Sequence, residues 1–271
     1  MLLDSIQVVE KTYGTPELEW NRLERRRMEY AVTLRALEEH LPAAPADVVD
    51  IGGGPGRYAI ELARRGYRVT LADLSKPSVD FARRKAIEVG APLADCVKAN
   101  AIDMPCFALE SFDAVLMMGP LYHLIDPGHR LRAVREAYRI VKHGGVIVAA
   151  FLGPYRAHIN AVANTPRYIV DDRNESEMIL STGIHRVKNP GTGFPDAWFA
   201  HPSQIEPLMA EGGFRQVALL SCEGLTTERD DQFNLLDPAV WQAWVELNYR
   251  VGHDPALHGA AQHLLYVGGK E

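Results

Sequence analysis

Two carboxylates and a run of glycines are the residues best placed to do chemistry. Asp50 closes the apolar run Val48-Val49 and is followed at once by Ile51-Gly52-Gly53-Gly54-Pro55-Gly56. Asp73 closes a second apolar run, 17 residues after Gly56. Glycines let a backbone approach a ligand with no Cβ in the way. A carboxylate ending the second strand of such a unit can accept both hydroxyls of a ribose. Spacing separates two ligand classes. The dinucleotide fingerprint Gly-x-Gly-x-x-Gly seats a pyrophosphate on a helix N-terminus. Here the place of its third glycine is taken by Arg57. Asp50 adds an anion beside the turn, which suits a ligand carrying an ammonium better than one carrying a phosphate.

The acids reach strand ends only if residues 48–51 and 68–72 are extended and residues 57–65 form the helix between them. Ala59, Leu62 and Ala63 share one helical face, and Gly66 stands where a helix stops. The rhythm repeats. Ser75-Lys76-Pro77 opens a helix with the stripe Val79, Ala82, Ala86, Val89, ended by Gly90. Residues 95–99, 112–118 and 146–150 read as further strands, and Asp126-Pro127 caps a helix with Leu131, Val134, Tyr138 and Val141 facing inward. Strand alternating with helix predicts an α/β, doubly wound sheet.

The stretch Asp50 to Gly56 resembles the first motif of the class I S-adenosylmethionine-dependent methyltransferases, and Asp73 matches that family's second motif. Strand 112–118 runs into Gly119-Pro120-Leu121-Tyr122-His123-Leu124, similar to a signature of bacterial small-molecule methyltransferases at the fourth motif position. The resemblance covers residues 47–150 well and the inserts hardly at all. It implies a Rossmann-like, seven-stranded mixed sheet, closed by a hairpin of residues 215–221 and 263–267. It implies S-adenosyl-L-methionine as cofactor and S-adenosyl-L-homocysteine as product. It sets Asp50, Gly52, Gly53, Gly54 and Gly56 beside the methionine part and Asp73, with Leu74, on the ribose. Asn100, Ala101 and Ile102 edge the adenine, and Met117, Met118 and Gly119 form the fourth motif's wall. Asn100 stands where the family usually has Asp; its amide oxygen can still accept from an adenine amino group.

The expected organisation is a single domain. Residues 1–46 form an N-terminal helical cap, 47–150 the cofactor core, 151–200 and 222–262 lid or substrate inserts, and 201–221 with 263–271 the rest of the sheet. Thr15-Pro16 starts a helix in which Leu23, Tyr30, Leu34, Leu37 and Leu41 recur at helical spacing, with the basic patch Arg22, Arg25, Arg26, Arg27 between them. That segment reads either as a packing helix with a solvated face or as a cap presenting Tyr13, Trp20 and Arg27 to a substrate. The first insert carries turn residues, including Asn189-Pro190-Gly191, and aromatics, of which Tyr155 and Trp198 are substrate-side candidates. Ser203-Gln204-Ile205-Glu206 has capping-box spacing, and residues 238–250 read as a helix.

A sulfonium already activates its methyl group, so the protein must align donor and acceptor, with a general base where the acceptor carries a proton. His123, just past the fourth strand, is the candidate base; the other reading is a histidine that shapes the pocket. Tyr122 is the candidate to orient the substrate. No metal is expected: the strand ends where a metal-dependent catechol-type enzyme needs acids hold Met118-Gly119 and Ala150-Phe151. The expected acceptor is a small molecule methylated on oxygen or nitrogen, with carbon as a further alternative.

Charge supports this. Lys+Arg number 29 and Asp+Glu 35, a net charge of −6, so no nucleic-acid partner is expected. Three cysteines, Cys96, Cys106 and Cys222, are too few for a disulfide scaffold and fit a reducing cytoplasm. Met1-Leu2-Leu3-Asp4 lacks the start of a signal peptide, and no apolar stretch is long enough to span a bilayer, so no membrane partner is expected. A homodimer is compatible with the sequence. Cofactor binding without transfer, an RNA methyltransferase and an NAD-dependent oxidoreductase are the competing readings.

Overall fold

The computed structural model describes residues 5–189 and 193–271, so the first four residues and Pro190-Gly191 of the expected turn lie outside it. The strands are Asp47–Ile51 (β1), Arg68–Asp73 (β2), Asp95–Lys98 (β3), Phe112–Met117 (β4), Val141–Leu152 (β5), Ile184–His185 (β6), Ala197–Trp198 (β7), Arg215–Ser221 (β8) and His263–Gly269 (β9). β6 and β7 pair only with each other. The other seven form one sheet in the order β3-β2-β1-β4-β5-β9-β8, with β9 antiparallel to both neighbours and every other neighbouring pair parallel. The chain steps outward from β1 to β3 on one side and from β4 to β5 on the other. The carboxyl ends of β1 and β4 therefore flank the switch point where open α/β sheets hold ligands.

Period-two alternation along the strands loads both faces of the sheet. Val48, Val69, Leu71, Leu116 and Val148 face Arg27–His40 (α3), Arg57–Arg64 (α4), Lys76–Glu88 (α5) and Pro238–Gly252 (α13). Val49, Ile51, Val115, Met117 and Ile147 face Pro120–His123 (α6), Pro127–Ile140 (α7) and Pro202–Glu211 (α11). Ser5–Thr12 (α1) and Pro16–Arg25 (α2) precede the core. Arg156–Asn164 (α8), Tyr168–Asp171 (α9) and Arg173–Thr182 (α10) follow β5, and Asp230–Phe233 (α12) precedes α13.

Local signals explain most boundaries. The Ser75 and Asp126 side chains accept the Ser78 and His129 N–H groups and so cap α5 and α7. Three elements differ from the sequence reading. The N-terminal stripe is not one helix: Arg26, at φ −91° and ψ 56°, ends α2 and α3 starts afresh with a new phase. The capping box of α11 uses His201 and Gln204 in place of Ser203 and Glu206, because Pro202, with φ already set, takes the first helical position. The helix α13, read as part of a lid or substrate insert, packs on α3 and β8 and lines no part of the cavity; it buries Val245, Asn248, Tyr249 and Gly252. No helix among the described residues is long and apolar enough to cross a membrane.

Candidate active site

One cavity opens at the switch point. The loop after β1 forms its floor. Gly52 and Gly53 donate their N–H groups to Ala72 O, and Gly54 donates to Asp73 Oδ2 at 2.8 Å. Ser75 N–H takes the other Asp73 oxygen at 2.7 Å. Asp73 thus clamps the glycine loop to the start of α5 and keeps further lone-pair capacity toward the cavity it lines. Burial raises its pKa, opposed by those two N–H groups. Gly52 has φ +68°, and a Cβ there would come within 2.5 Å of Pro120 Cγ, so only glycine lets the loop close on α6.

Asp50 is fully buried beneath the loop; a Cβ on Gly53 would lie 2.7 Å from its Oδ2. Neither carboxylate oxygen has a hydrogen-bond partner. Burial, then the nearby charge of Asp73, lifts its pKa to about 7; the Ala59 N–H lies near enough to oppose this without prevailing. An unpaired carboxylate in a low-dielectric cavity wall is complementary to a cation. The ammonium and sulfonium of S-adenosylmethionine supply such charge, and the Asp73 oxygens suit its ribose, so the residues present fit the cofactor.

Most of the sequence candidates meet here. Asp50, Gly52, Gly53, Gly54, Asp73, Leu74, Asn100, Ala101, Met118, Gly119, Tyr122, His123 and Tyr13 all line the cavity. The Asn100 Oδ1 atom accepts the Ile102 N–H at 3.2 Å, so that amide shapes the turn at the cavity edge. The structure places the remaining candidates elsewhere. Gly56, at φ +87°, starts α4 against Ala82. Met117 is fully buried on the opposite sheet face, and Ile102 packs against the same cluster.

Among the candidates for the substrate side, four lie apart from the cavity. Trp20 stacks under Arg57, 4.4 Å from guanidinium carbon to ring centre, and against Phe81. Arg27 covers Trp241 at 4.3 Å and donates to Asn234 O, which ties α3 to the second insert. Tyr155 is exposed at the start of α8. Trp198 is buried under Arg130 and edge-on to Phe151. Side-chain type alone carried these readings, and packing against other elements claims Trp and Arg side chains as readily as a lid does.

His123 and Tyr122 stand at the far wall. The Tyr122 hydroxyl donates to Met118 O at 3.1 Å, and burial pushes its pKa up to about 12. His123 Nδ1 meets the Asp196 carbonyl at 2.9 Å, so Nδ1 carries the proton and Nε2 is an acceptor. The Tyr13 hydroxyl fills that acceptor at 2.7 Å. Burial holds the His123 pKa down to about 4. Tyr13 itself is fixed through its carbonyl, which accepts the Ser75 and Ser78 hydroxyls.

A charged cluster without a sequence signal continues from this wall, and its Arg22 and Glu19 themselves line the cavity. Arg22 binds both oxygens of Glu29, at 2.8 and 3.1 Å, and also reaches Glu19. Arg156 donates to His263 Nε2 at 2.7 Å, and His263 Nδ1 donates to Glu223. Burial raises the Glu29 pKa, yet the Arg22 guanidinium, bonded to both of its oxygens, brings it down to about 2. Phe194 bridges to the site, 5.2 Å from the Arg156 guanidinium and 5.7 Å from the His123 ring. Arg22 and Glu29 lie on either side of the break at Arg26, so their spacing gave no signal, and neither did the partners from β9 and α8.

A family model described as a methyltransferase domain matches residues 49–149. The chain is 35% identical over 186 residues to a ubiquinone biosynthesis O-methyltransferase of Chromobacterium violaceum, covering 65% of this chain and 68% of that protein. It is 33% identical to the protein of the same name from Stutzerimonas stutzeri, covering 70% and 72%. A demethylmenaquinone methyltransferase of Clavibacter sepedonicus is 33% identical, covering 53% and 60%. A SAM-dependent methyltransferase of Methanosarcina mazei has a similar fold, with TM-score 0.60 at 19% identity over 87% of this chain and 96% of that one. So does geranyl diphosphate C-methyltransferase of Streptomyces coelicolor, solved with S-adenosyl-L-homocysteine, with TM-score 0.54 at 20% identity over 94% and 82%.

Proposed function

The chain belongs to the class I S-adenosylmethionine-dependent methyltransferases, transferring methyl to a small molecule, and from that premise we propose that its acceptor is a phenolic hydroxyl of a quinol- or catechol-like ring. The observation that carries the oxygen acceptor is the wall opposite Asp50. It offers a neutral histidine acceptor nitrogen and the phenol that fills it, both lining the same cavity as the glycine loop. The relatives named as ubiquinone biosynthesis O-methyltransferases support the ring type.

In this reading Asp50 and the loop face the methionine end, Asp73 holds the ribose hydroxyls, Asn100 and Ala101 flank the adenine, and Met118 and Gly119 form the wall at the end of β4. The cofactor, when bound, supplies an activated methyl group. The protein contributes alignment, exclusion of water, and a place for the hydroxyl proton. Helix α1 covers one side of the cavity through Val9 and Glu10, and Glu10 is tied to Lys98 at 2.6 Å. Residues 151–200 reach the site through Phe194 and the Asp196 carbonyl. Both segments act as lids in this proposal, and the enzyme works in the cytoplasm. The test is incubation with methyl-labelled S-adenosylmethionine and a panel of catechols, hydroquinones and aryl amines. Label appearing in methyl ethers supports the proposal; label only in methylated amines contradicts it.

A further inference from the structure

The hydrogen bonds around Tyr13 run in one direction. His123 Nδ1–H donates to the Asp196 carbonyl, and the Tyr13 O–H donates into His123 Nε2 at 2.7 Å. Tyr13 Oη keeps lone-pair capacity for one more donor, and Tyr13 lines the cavity beside Tyr122 and the glycine loop. The Asp196 carbonyl is itself held, since its side chain accepts from Val187 N–H and Arg186. Ser75 and Ser78 anchor the Tyr13 backbone at the start of α5, a segment that Asp73 also grips. The phenol is therefore fixed relative to the cofactor floor from one side and to the histidine from the other.

We infer that Tyr13 is a catalytic residue whose hydroxyl takes the proton of the acceptor's O–H while passing its own to His123 Nε2. This rests on the hydroxyl acceptor proposed above. The acceptor oxygen forms its bond to the methyl carbon as the carbon–sulfur bond breaks and its electron pair stays on sulfur as a thioether. The acceptor's proton moves to Tyr13 Oη, the Tyr13 proton moves to His123 Nε2, and the resulting imidazolium keeps its Nδ1–H on Asp196 O. Water removes the extra proton after product leaves. A weak base suffices at the end of such a wire, because a hydroxyl already bonding to methyl is a far stronger acid than the free hydroxyl. Burial, then Tyr122 and Glu19, hold the Tyr13 pKa well above its ordinary value against Arg22 and Arg156, so the two proton transfers occur together and no free phenolate forms.

A Tyr13 that only latches α1 over the cavity would show the same static hydrogen bond. Tyr13→Phe keeps the ring and removes the wire, and catechol and 4-nitrocatechol are the probes. At mildly alkaline pH catechol is protonated and the nitro compound is ionised. The expected result is a loss of about 10²-fold or more in kcat on catechol, a change of a few-fold at most on 4-nitrocatechol, and an unaltered Kd for S-adenosylhomocysteine. Equal losses on both phenols overturn the inference. Nitrogen-15 spectra of the histidine side chains in the S-adenosylhomocysteine complex give a readout that needs no turnover. His123 should be the Nδ1–H tautomer with a hydrogen-bonded Nε2, released in Tyr13→Phe. An Nε2–H tautomer, or no response to the substitution, overturns the wire. If the wild type methylates neither phenol, the hydroxyl-acceptor proposal falls, and the nitrogen spectra still decide the wire.

Discussion

A carboxylate buried without a partner, as Asp50 is, weakens the free chain in order to present charge to a ligand. Its rise from the ordinary 3.8 to about 7 corresponds to roughly 4 kcal/mol. The sign follows from the direction of the shift. At pH below about 4 both folded and unfolded chains hold the proton, and the penalty is absent. Between there and about pH 7 only the unfolded chain ionises, so stability falls as pH rises, and it levels off above. Asp50→Asn should therefore raise the melting temperature by several degrees at pH 8 and by nothing near pH 4 in scanning calorimetry. A variant less stable than the wild type at pH 8 would contradict this. A cationic ligand favours the ionised form, so wild-type affinity for S-adenosylmethionine should climb between about pH 5 and pH 7 and then plateau. Asp73→Ala loses two charge-assisted bonds from backbone N–H groups together with the ribose acceptor. We expect affinity for S-adenosylhomocysteine to fall by about 10²-fold, and titration giving wild-type affinity would remove Asp73 from the ribose.

Among the elements, the β1–α4–β2 unit was legible because everything that shapes it is local. Acids at strand ends, glycines at positive φ and the α5 cap lie within a few dozen residues of one another and follow fixed spacing rules. Gly52→Ala tests the unit at its tightest point. A methyl group at φ +68° and 2.5 Å from Pro120 Cγ must push the loop off α6. Cofactor affinity should drop at least tenfold while the circular dichroism of the sheet and helices is kept; retained affinity would show that the loop has room to spare. The N-terminal elements were not legible to the same depth. The break at Arg26 resets the helical phase between α2 and α3, so a stripe counted from Leu23 to Leu41 could not say which side chains face the cavity. Tyr13 and His123 were both marked by type, yet their bond spans 110 residues of sequence and depends on where α1 ends. Trp20, Arg27 and Trp198 were marked by type as well, and tertiary packing sent each elsewhere, while Tyr155 stays exposed.

For the molecule as a whole, the charged cluster that runs from the cavity wall into the interior joins distant parts of the chain. Arg22 comes from α2, Glu29 from α3, Arg156 from α8, Glu223 from just after β8, and His263 from β9. Sequence showed Arg22 only as part of a basic patch, because a charge on one helix gives no sign of partners on four other elements. Removing one partner leaves the others buried and uncompensated, typically at a cost of 3–5 kcal/mol. Glu29→Ala should accordingly lower the melting temperature by roughly 10 °C, and a variant that melts with the wild type would show that the cluster is not structural. The depressed Glu29 pKa has its own consequence. Its stabilising effect is complete above the ordinary carboxylate value of 4.5 and is lost as pH falls through about 2, so the cluster supports the fold throughout the neutral range. The proposed seat for S-adenosylmethionine at the carboxyl ends of β1 and β2 requires first that the molecule bind this cofactor and not a dinucleotide. Calorimetric titration of the wild-type protein with S-adenosylhomocysteine and, in parallel, NAD tests it most directly. Micromolar or tighter binding of the first and none of the second is the predicted result; binding of NAD alone would contradict it.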